Sequence, residues 1–287
     1  MEQAVIPLVN CSTESITLPY TIVEHSNYKV ELLEMTPEAM LAHYGVTITQ
    51  DPTNSNQKHI AYSMPQDEYT PQYTSYLAQS NHYLLVSFQN NTVLPSLMKL
   101  IDFALAVSLG RGIDYMKHIN PLHHLLSQPP RRGARSMHIE PTPIDENVTS
   151  NLTLLLNSDL DSLPKMEVIR PLMFSAVLQS GSIDVACVLY FSILESIYIQ
   201  DSNPSEKTYK LTMRITKKFN EDYAFKSKLS KLYGKRSEVV HGSKKGNTFE
   251  HEEYEFLESI VASSISGYLL LPEDYSQEAL DRLILGN

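Results

Sequence analysis

One segment in the second half of the chain, residues 185–199, constrains the fold most. Its fifteen residues, VACVLYFSILESIYI, carry a single charge, that of Glu195. A helix that is apolar on nearly all faces is buried in a core or in an interface between subunits. A membrane span needs about 18 consecutive apolar residues, and the chain has no such run. The segment therefore predicts a buried helix in a protein without a membrane span.

Apolar residues at helical spacing recur through the C-terminal half of the chain. They predict helices at residues 171–179, 182–199, 206–219, 223–240, 250–271 and 277–285. Because the connections between these helices are short, we expect four or five of them to form a compact bundle.

The N-terminal half combines strand and helix patterns. Runs of β-branched and apolar residues predict strands at residues 15–23, 27–33 and 82–89. Thr36, Pro37 and Glu38 are typical of a helix start, and that short helix would end near Gly45. A second, apolar helix is predicted at residues 96–109.

A proline-rich segment separates the two halves. Residues 128–150 contain four prolines and few large apolar side chains, which is typical of an irregular linker. We expect the domain boundary inside this segment or shortly after it. The predicted fold class is α+β, with a mixed N-terminal domain at residues 1–140 and an all-α bundle at residues 151–287.

Charge is distributed unevenly along the chain. The net charge is −10, yet residues 204–245 contain twelve Lys and Arg against four Asp and Glu. Such a basic stretch within an acidic chain indicates a surface that faces a polyanion. The alternative, that these side chains only solvate exposed helix faces, stays open on charge alone.

The cysteines and the N-terminus bear on the cellular compartment. Cys11 and Cys187 are isolated, so they predict neither a disulfide framework nor a metal site and are compatible with a reducing cytoplasm. The first twenty residues lack the basic start and apolar run of a secretory signal. We expect a cytoplasmic protein that needs no metal and no cofactor.

Two basic side chains and one acid are candidates for chemistry. Arg236 precedes His241 with four residues between them, and Gly242 is a natural end for their helix. An imidazole suits proton transfer near neutral pH, and a guanidinium holds a phosphate by two parallel hydrogen bonds. Glu195, an acid in an apolar helix, needs a partner. It forms either an internal salt bridge or the support that orients Arg236.

Helix geometry limits how Arg236 and His241 can cooperate. Five residues along a helix turn by about 140°, so the two side chains do not share a stripe. They converge if the helix ends between them, or if a second copy of the chain contributes its own pair. The pattern therefore predicts a homodimer with a composite site.

The surroundings of Arg236 resemble the signature of the Apea-like branch of the HEPN ribonuclease superfamily. The matching residues are Tyr233, Arg236, Ser237, Val240, His241 and Gly242. Upstream, the ILES segment is similar to the family's acid-bearing helix, which places its acid at Glu195. Arg214 matches a recurring basic position in the helix between acid and motif. The resemblance covers roughly residues 163–271.

This resemblance implies a helical bundle that dimerises and cleaves RNA without metal, leaving a 2′,3′-cyclic phosphate. It implies a role in anti-phage defence or in a toxin system, with an N-terminal domain that either senses an unknown trigger or holds the nuclease silent. Arg236, His241 and Glu195 would be catalytic. The residues expected to contact RNA are Tyr233, which offers a ring for base stacking, Lys235, Ser237, Lys244, Lys245 and Arg214. The alternative is a non-catalytic HEPN-like interaction or sensor module.

Overall fold

A computed structural model describes the chain in fourteen stretches, which divide into two compact units. The described residues are 2–9, 11–13, 15–36, 38–39, 46–50, 58–62, 81–90, 92, 94–109, 114–115, 142–178, 182–199, 206–242 and 248–285. One unit comprises Met1–Lys99 and Arg111–Thr153, and the other comprises Leu100–Gly110 and Leu154–Asn287. Within these stretches, every helix is too short or too polar to cross a membrane.

The first unit contains an antiparallel sheet. The strands are β1 Glu2–Val9, β2 Cys11–Ser12, β3 Tyr20–Glu24, β4 Tyr28–Glu34, β5 Val46–Gln50, β6 Lys58–Tyr62, β7 His82–Phe88, β8 Asp114–Tyr115 and β9 Thr142–Pro143. The main sheet has the order β3-β4-β7-β1-β8. Its central strand, β7, is buried along nearly its whole length, and Val86 pairs with Val30 of β4 and with Ala4 of β1. This apolar layer forms the core of the unit.

Eight α-helices lie within the described residues. They are α1 Leu94–Leu109, α2 Glu146–Asn157, α3 Met166–Leu178, α4 Ile183–Tyr198, α5 Lys207–Lys218, α6 Tyr223–Val240, α7 His251–Leu270 and α8 Gln277–Leu285. Helix α4, the apolar segment of the sequence, packs against α3, α5, α6 and α7. It is therefore the core of the helical unit, and the predicted α+β class is confirmed.

Two predictions at the boundary between the halves are wrong. Residues 142–150 were expected in a linker, but they form β9 and the first part of α2. Asp145 caps α2, since its Oδ1 accepts a hydrogen bond from the Val148 N–H at 2.9 Å. Leu152 and Leu155 bury the apolar face of α2. Capping and burial together outweigh the weak helix propensity of its Asn and Thr residues.

The second correction concerns the start of α3. A helix start was predicted at Pro171, but α3 begins at Met166 and contains Pro171 in its interior. Met166 and Ile169 are fully buried, so tertiary packing holds the first turn in place despite the hydrogen bond that proline cannot donate.

Candidate active site

The carboxylate of Glu195 organises a cluster of charged and polar groups between α4, α5 and α6. Its Oε1 accepts a hydrogen bond from the Tyr233 hydroxyl at 2.6 Å, and its Oε2 accepts one from Lys207 Nζ at 2.8 Å. A largely buried carboxylate requires such partners, because desolvation penalises its charge. The sequence predicted a partner for Glu195, and the structure provides a lysine and a tyrosine in addition to Arg236.

Arg236 lies at the edge of this cluster. Its Nη2 is 3.7 Å from Glu195 Oε1, and its side chain is 22% exposed. Its Cζ lies 5.6 Å from the centre of the Tyr233 ring. The contact with Glu195 is single and long, in contrast to the two short parallel bonds of an arginine that is saturated by a carboxylate. The guanidinium therefore retains donors for another anion.

The cluster carries more positive than negative charge. Lys207 and Arg236 both contact the single carboxylate of Glu195, so the three groups together keep one positive charge. Next to them, Lys235 is neutralised, because its Nζ donates to both oxygens of Glu253 at 2.7 Å. The excess charge is thus concentrated at Arg236, which favours binding of an anion there.

Tyr233 supports the cluster from the protein interior. Its side chain is only 8% exposed, and its ring packs edge-on against Phe191 at 5.3 Å. Burial and the hydrogen bond to Glu195 raise the pKa of Tyr233, so the hydroxyl stays protonated and donates. The expectation that Tyr233 stacks on an RNA base is wrong for this structure, because its ring is covered by protein.

His241 lies at the C-terminal end of α6, exposed to solvent. Its backbone N–H donates to the Ser237 carbonyl at 3.0 Å, and its φ and ψ remain helical at −88° and 0°. Gly242 follows with a φ of +64°, the left-handed conformation that ends a helix. Because α6 ends only at Val240 and His241 keeps helical dihedral angles as its C-cap, the two side chains remain about 140° apart around the helix axis.

No protein family, curated protein or solved structure matches this chain. The resemblance to the HEPN superfamily remains a prediction carried by the motif residues. The site is therefore interpreted from its own geometry.

The other predicted RNA contacts differ in their surroundings. Ser237 is half-buried on α6, and its carbonyl is occupied by His241. Lys244 and Lys245 lie outside the described residues. The predicted RNA contact of Arg214 is wrong: this side chain is completely buried, donates to the Tyr198 carbonyl and forms an ion pair with Asp281 of α8. Arg214 is a structural cation.

Lys207 is the site residue that sequence reasoning did not single out. The need of Glu195 for a cation was predictable from burial, but the basic stretch offers many candidates at similar distance along the chain. Only the packing of α4 against α5 selects Lys207.

Proposed function

We propose that the helical unit is a metal-independent endoribonuclease in which Arg236 binds the scissile phosphate and His241 transfers the proton. The observation that supports this function best is the net positive charge of the Glu195, Lys207 and Arg236 cluster, which lies next to the helix that leads to a solvent-exposed histidine. Glu195 and Tyr233 act as positioning residues, because they hold the guanidinium at the edge of the core.

The proposed reaction needs only groups of the protein and of the RNA. The 2′-oxygen forms a bond to phosphorus, the bond from phosphorus to the 5′-oxygen breaks, and a 2′,3′-cyclic phosphate remains. The proton that leaves the 2′-hydroxyl is balanced by a proton delivered to the 5′-oxygen, and an imidazole serves in either transfer. The guanidinium stabilises the charge that develops on the phosphorane oxygens.

The angular separation of Arg236 and His241 favours a site shared by two copies of the chain. On a single α6 helix the two side chains diverge by about 140°. A two-fold axis next to α6 would bring Arg236 of one copy to His241 of the other. We therefore propose a homodimer as the active form.

Substitution of the two residues tests the proposal. We expect His241→Ala to abolish cleavage of a structured RNA in EDTA, because the proton donor is removed. Arg236→Lys should also lose cleavage, because an ammonium group lacks the forked geometry. The readout is the appearance of fragments with 2′,3′-cyclic phosphate ends.

His251→Ala is the matched control, since this histidine is also exposed but lies on α7, where it pairs with Glu255. Retained cleavage in His241→Ala, or strict dependence on added Mg²⁺, would contradict the mechanism. In that case the rival, a non-catalytic interaction module, would account better for the internally paired cluster. RNA ends mapped after expression in bacteria would then test the proposed role in phage defence or as a toxin.

A further inference from the structure

Helices α5 and α6 expose two aromatic rings close to one lysine. Tyr209 is 51% exposed and Tyr223 is 79% exposed. Lys226 Nζ lies 4.9 Å from the centre of the Tyr209 ring and 5.6 Å from that of Tyr223. Large aromatic side chains are mostly buried in a folded protein. Two exposed rings close to one another therefore indicate a surface that binds a ligand.

Lys226, beside these rings, carries positive charge that no described residue neutralises by an ion pair. Lys217, Lys228 and Lys231 of α5 and α6 are likewise without an ion pair among the described residues, but Lys228 lies about 200° from Lys226 around α6, on the side of α7. Lys228 instead lies 3.9 Å from the centre of the Phe256 ring. Of the nearby acids, Glu206 pairs with Lys210, and the Asp222 carboxylate accepts the Phe225 N–H as the cap of α6.

We propose that Tyr209, Tyr223 and Lys226 form a stacking platform for an unpaired segment of RNA. Exposed rings next to cations match a ligand that is both flat and anionic, because bases stack on the rings while phosphates meet the ammonium groups. A duplex hides its base faces within its own stack. An acidic peptide would use the lysines but would gain nothing from the rings.

The stacking platform deepens the proposed nuclease function and rests on it for the choice of RNA. It assigns the substrate an unpaired region that docks on α6, the helix that also carries Arg236 and His241. In this proposal Tyr209 and Tyr223 provide the base stacking that the sequence suggested for Tyr233, whose ring is buried.

Binding is measured separately from cleavage, in the full chain carrying His241→Ala. The probe is a fluorescein-labelled oligo(U) RNA of about 16 nucleotides, followed by fluorescence anisotropy. In this background we expect the double change Tyr209→Ala and Tyr223→Ala to weaken binding by at least about fivefold for each ring. Replacing both tyrosines by phenylalanine should retain binding, because the rings remain.

Salt dependence isolates the contribution of the lysine. For a single strand, each phosphate contact lowers the slope of log K against log salt by about 0.7. We expect Lys226→Ala to make the slope less negative by about 0.7 and Lys99→Ala, which removes an exposed lysine of α1, to leave it unchanged. The two alanine substitutions at the rings should lower affinity without altering the slope.

Several results would overturn the stacking platform. One is an unchanged affinity for oligo(U) after both rings are removed, in a protein whose thermal unfolding is unaltered. The others are an affinity for an RNA duplex of the same length, or for a poly-glutamate peptide, that equals the affinity for oligo(U). Failure of the nuclease proposal looks different: oligo(U) would bind and depend on the rings, while the wild-type chain would cleave no RNA.

Discussion

Glu195 illustrates how a single acid can connect fold and function. A carboxylate is tolerated in the apolar helix α4 only if several donors contact it. Tyr233, Lys207 and Arg236 do so from two neighbouring helices. The same three contacts fix the orientation of Arg236. A change in any of these side chains should therefore affect stability and activity together.

Tyr233→Phe tests this coupling at the level of one hydroxyl. Loss of a hydrogen bond to a charged group should lower the free energy of unfolding by about 1.5 kcal/mol, measured by urea denaturation. Cleavage should fall as well, because Glu195 then holds Arg236 less firmly. Tyr209→Phe is the control, since its ring is exposed and its hydroxyl has no hydrogen bond within the described residues. Equal stability of Tyr233→Phe and the wild type would contradict the coupling.

The sequence predicted which residues belong to the site better than it predicted what each side chain does there. The sequence indicated that Glu195 needs a partner and offered Arg236 as one, and the structure places the two side chains 3.7 Å apart. The hydrogen bond from Tyr233 to Glu195 was not predicted, because the sequence assigned Tyr233 to RNA contact. The sequence also did not reveal that the Tyr233 ring and the Arg214 guanidinium are buried. Burial of a particular side chain depends on the packing of several helices, which a local pattern does not encode.

Among the helices, the agreement between prediction and structure follows the strength of the local pattern. The bounds of α6 and α8 were predicted to the residue, and those of α4 within one residue at each end. The sequence missed β1, β5, β6 and α2. β1 contains Pro7, a residue that is found mainly in edge strands, yet β1 pairs with β7 from Glu2 to Leu8 and with β8 at Leu8 and Val9. β1 and α2 depend on tertiary contacts more than on propensity.

Helix α8 is joined to α5 by the ion pair between Asp281 and the buried Arg214. Asp281→Asn would remove the negative charge that compensates the buried guanidinium and leave it only neutral acceptors, the Tyr198 carbonyl and the new side-chain amide. We expect a loss of about 2 kcal/mol in the free energy of unfolding, less than for a fully buried pair because the Asp281 side chain is 45% exposed. Chemical denaturation of the wild type and of Asp281→Asn at neutral pH measures this loss.

Asp274→Asn is the matched control for this experiment. Asp274 is 46% exposed, but its partner Lys218 is itself partly exposed, so the loss should stay below about 1 kcal/mol. If Asp281→Asn and Asp274→Asn lowered the free energy of unfolding equally, the burial of Arg214 would not strengthen its ion pair.

The same ion pair predicts a dependence on pH. Partial burial raises the pKa of Asp281, but hydrogen bonds from Arg214 and Gln277 outweigh it, so the pKa is lowered from its ordinary value. A lowered pKa contributes stability that is complete above about pH 4 and is lost as the pH falls further. The difference in stability between wild type and Asp281→Asn should therefore be constant from about pH 5 to 7 and shrink below about pH 4.

For the whole molecule, a composite site predicts complementation between two inactive variants. In a mixed dimer of Arg236→Ala and His241→Ala, one of the two sites would combine an intact Arg236 with an intact His241. Random pairing of equal amounts should therefore restore about a quarter of the wild-type cleavage rate. No recovery after subunits have been unfolded and refolded together would indicate that both groups act within one chain.

The burial of Arg214 has a consequence for the order of events on the ribosome. Its carboxylate partner is synthesised 67 residues later, so the nascent chain contains a guanidinium without the acid that compensates it. We expect the packing of α5 onto α4 to reach its full stability only after α8 has left the exit tunnel.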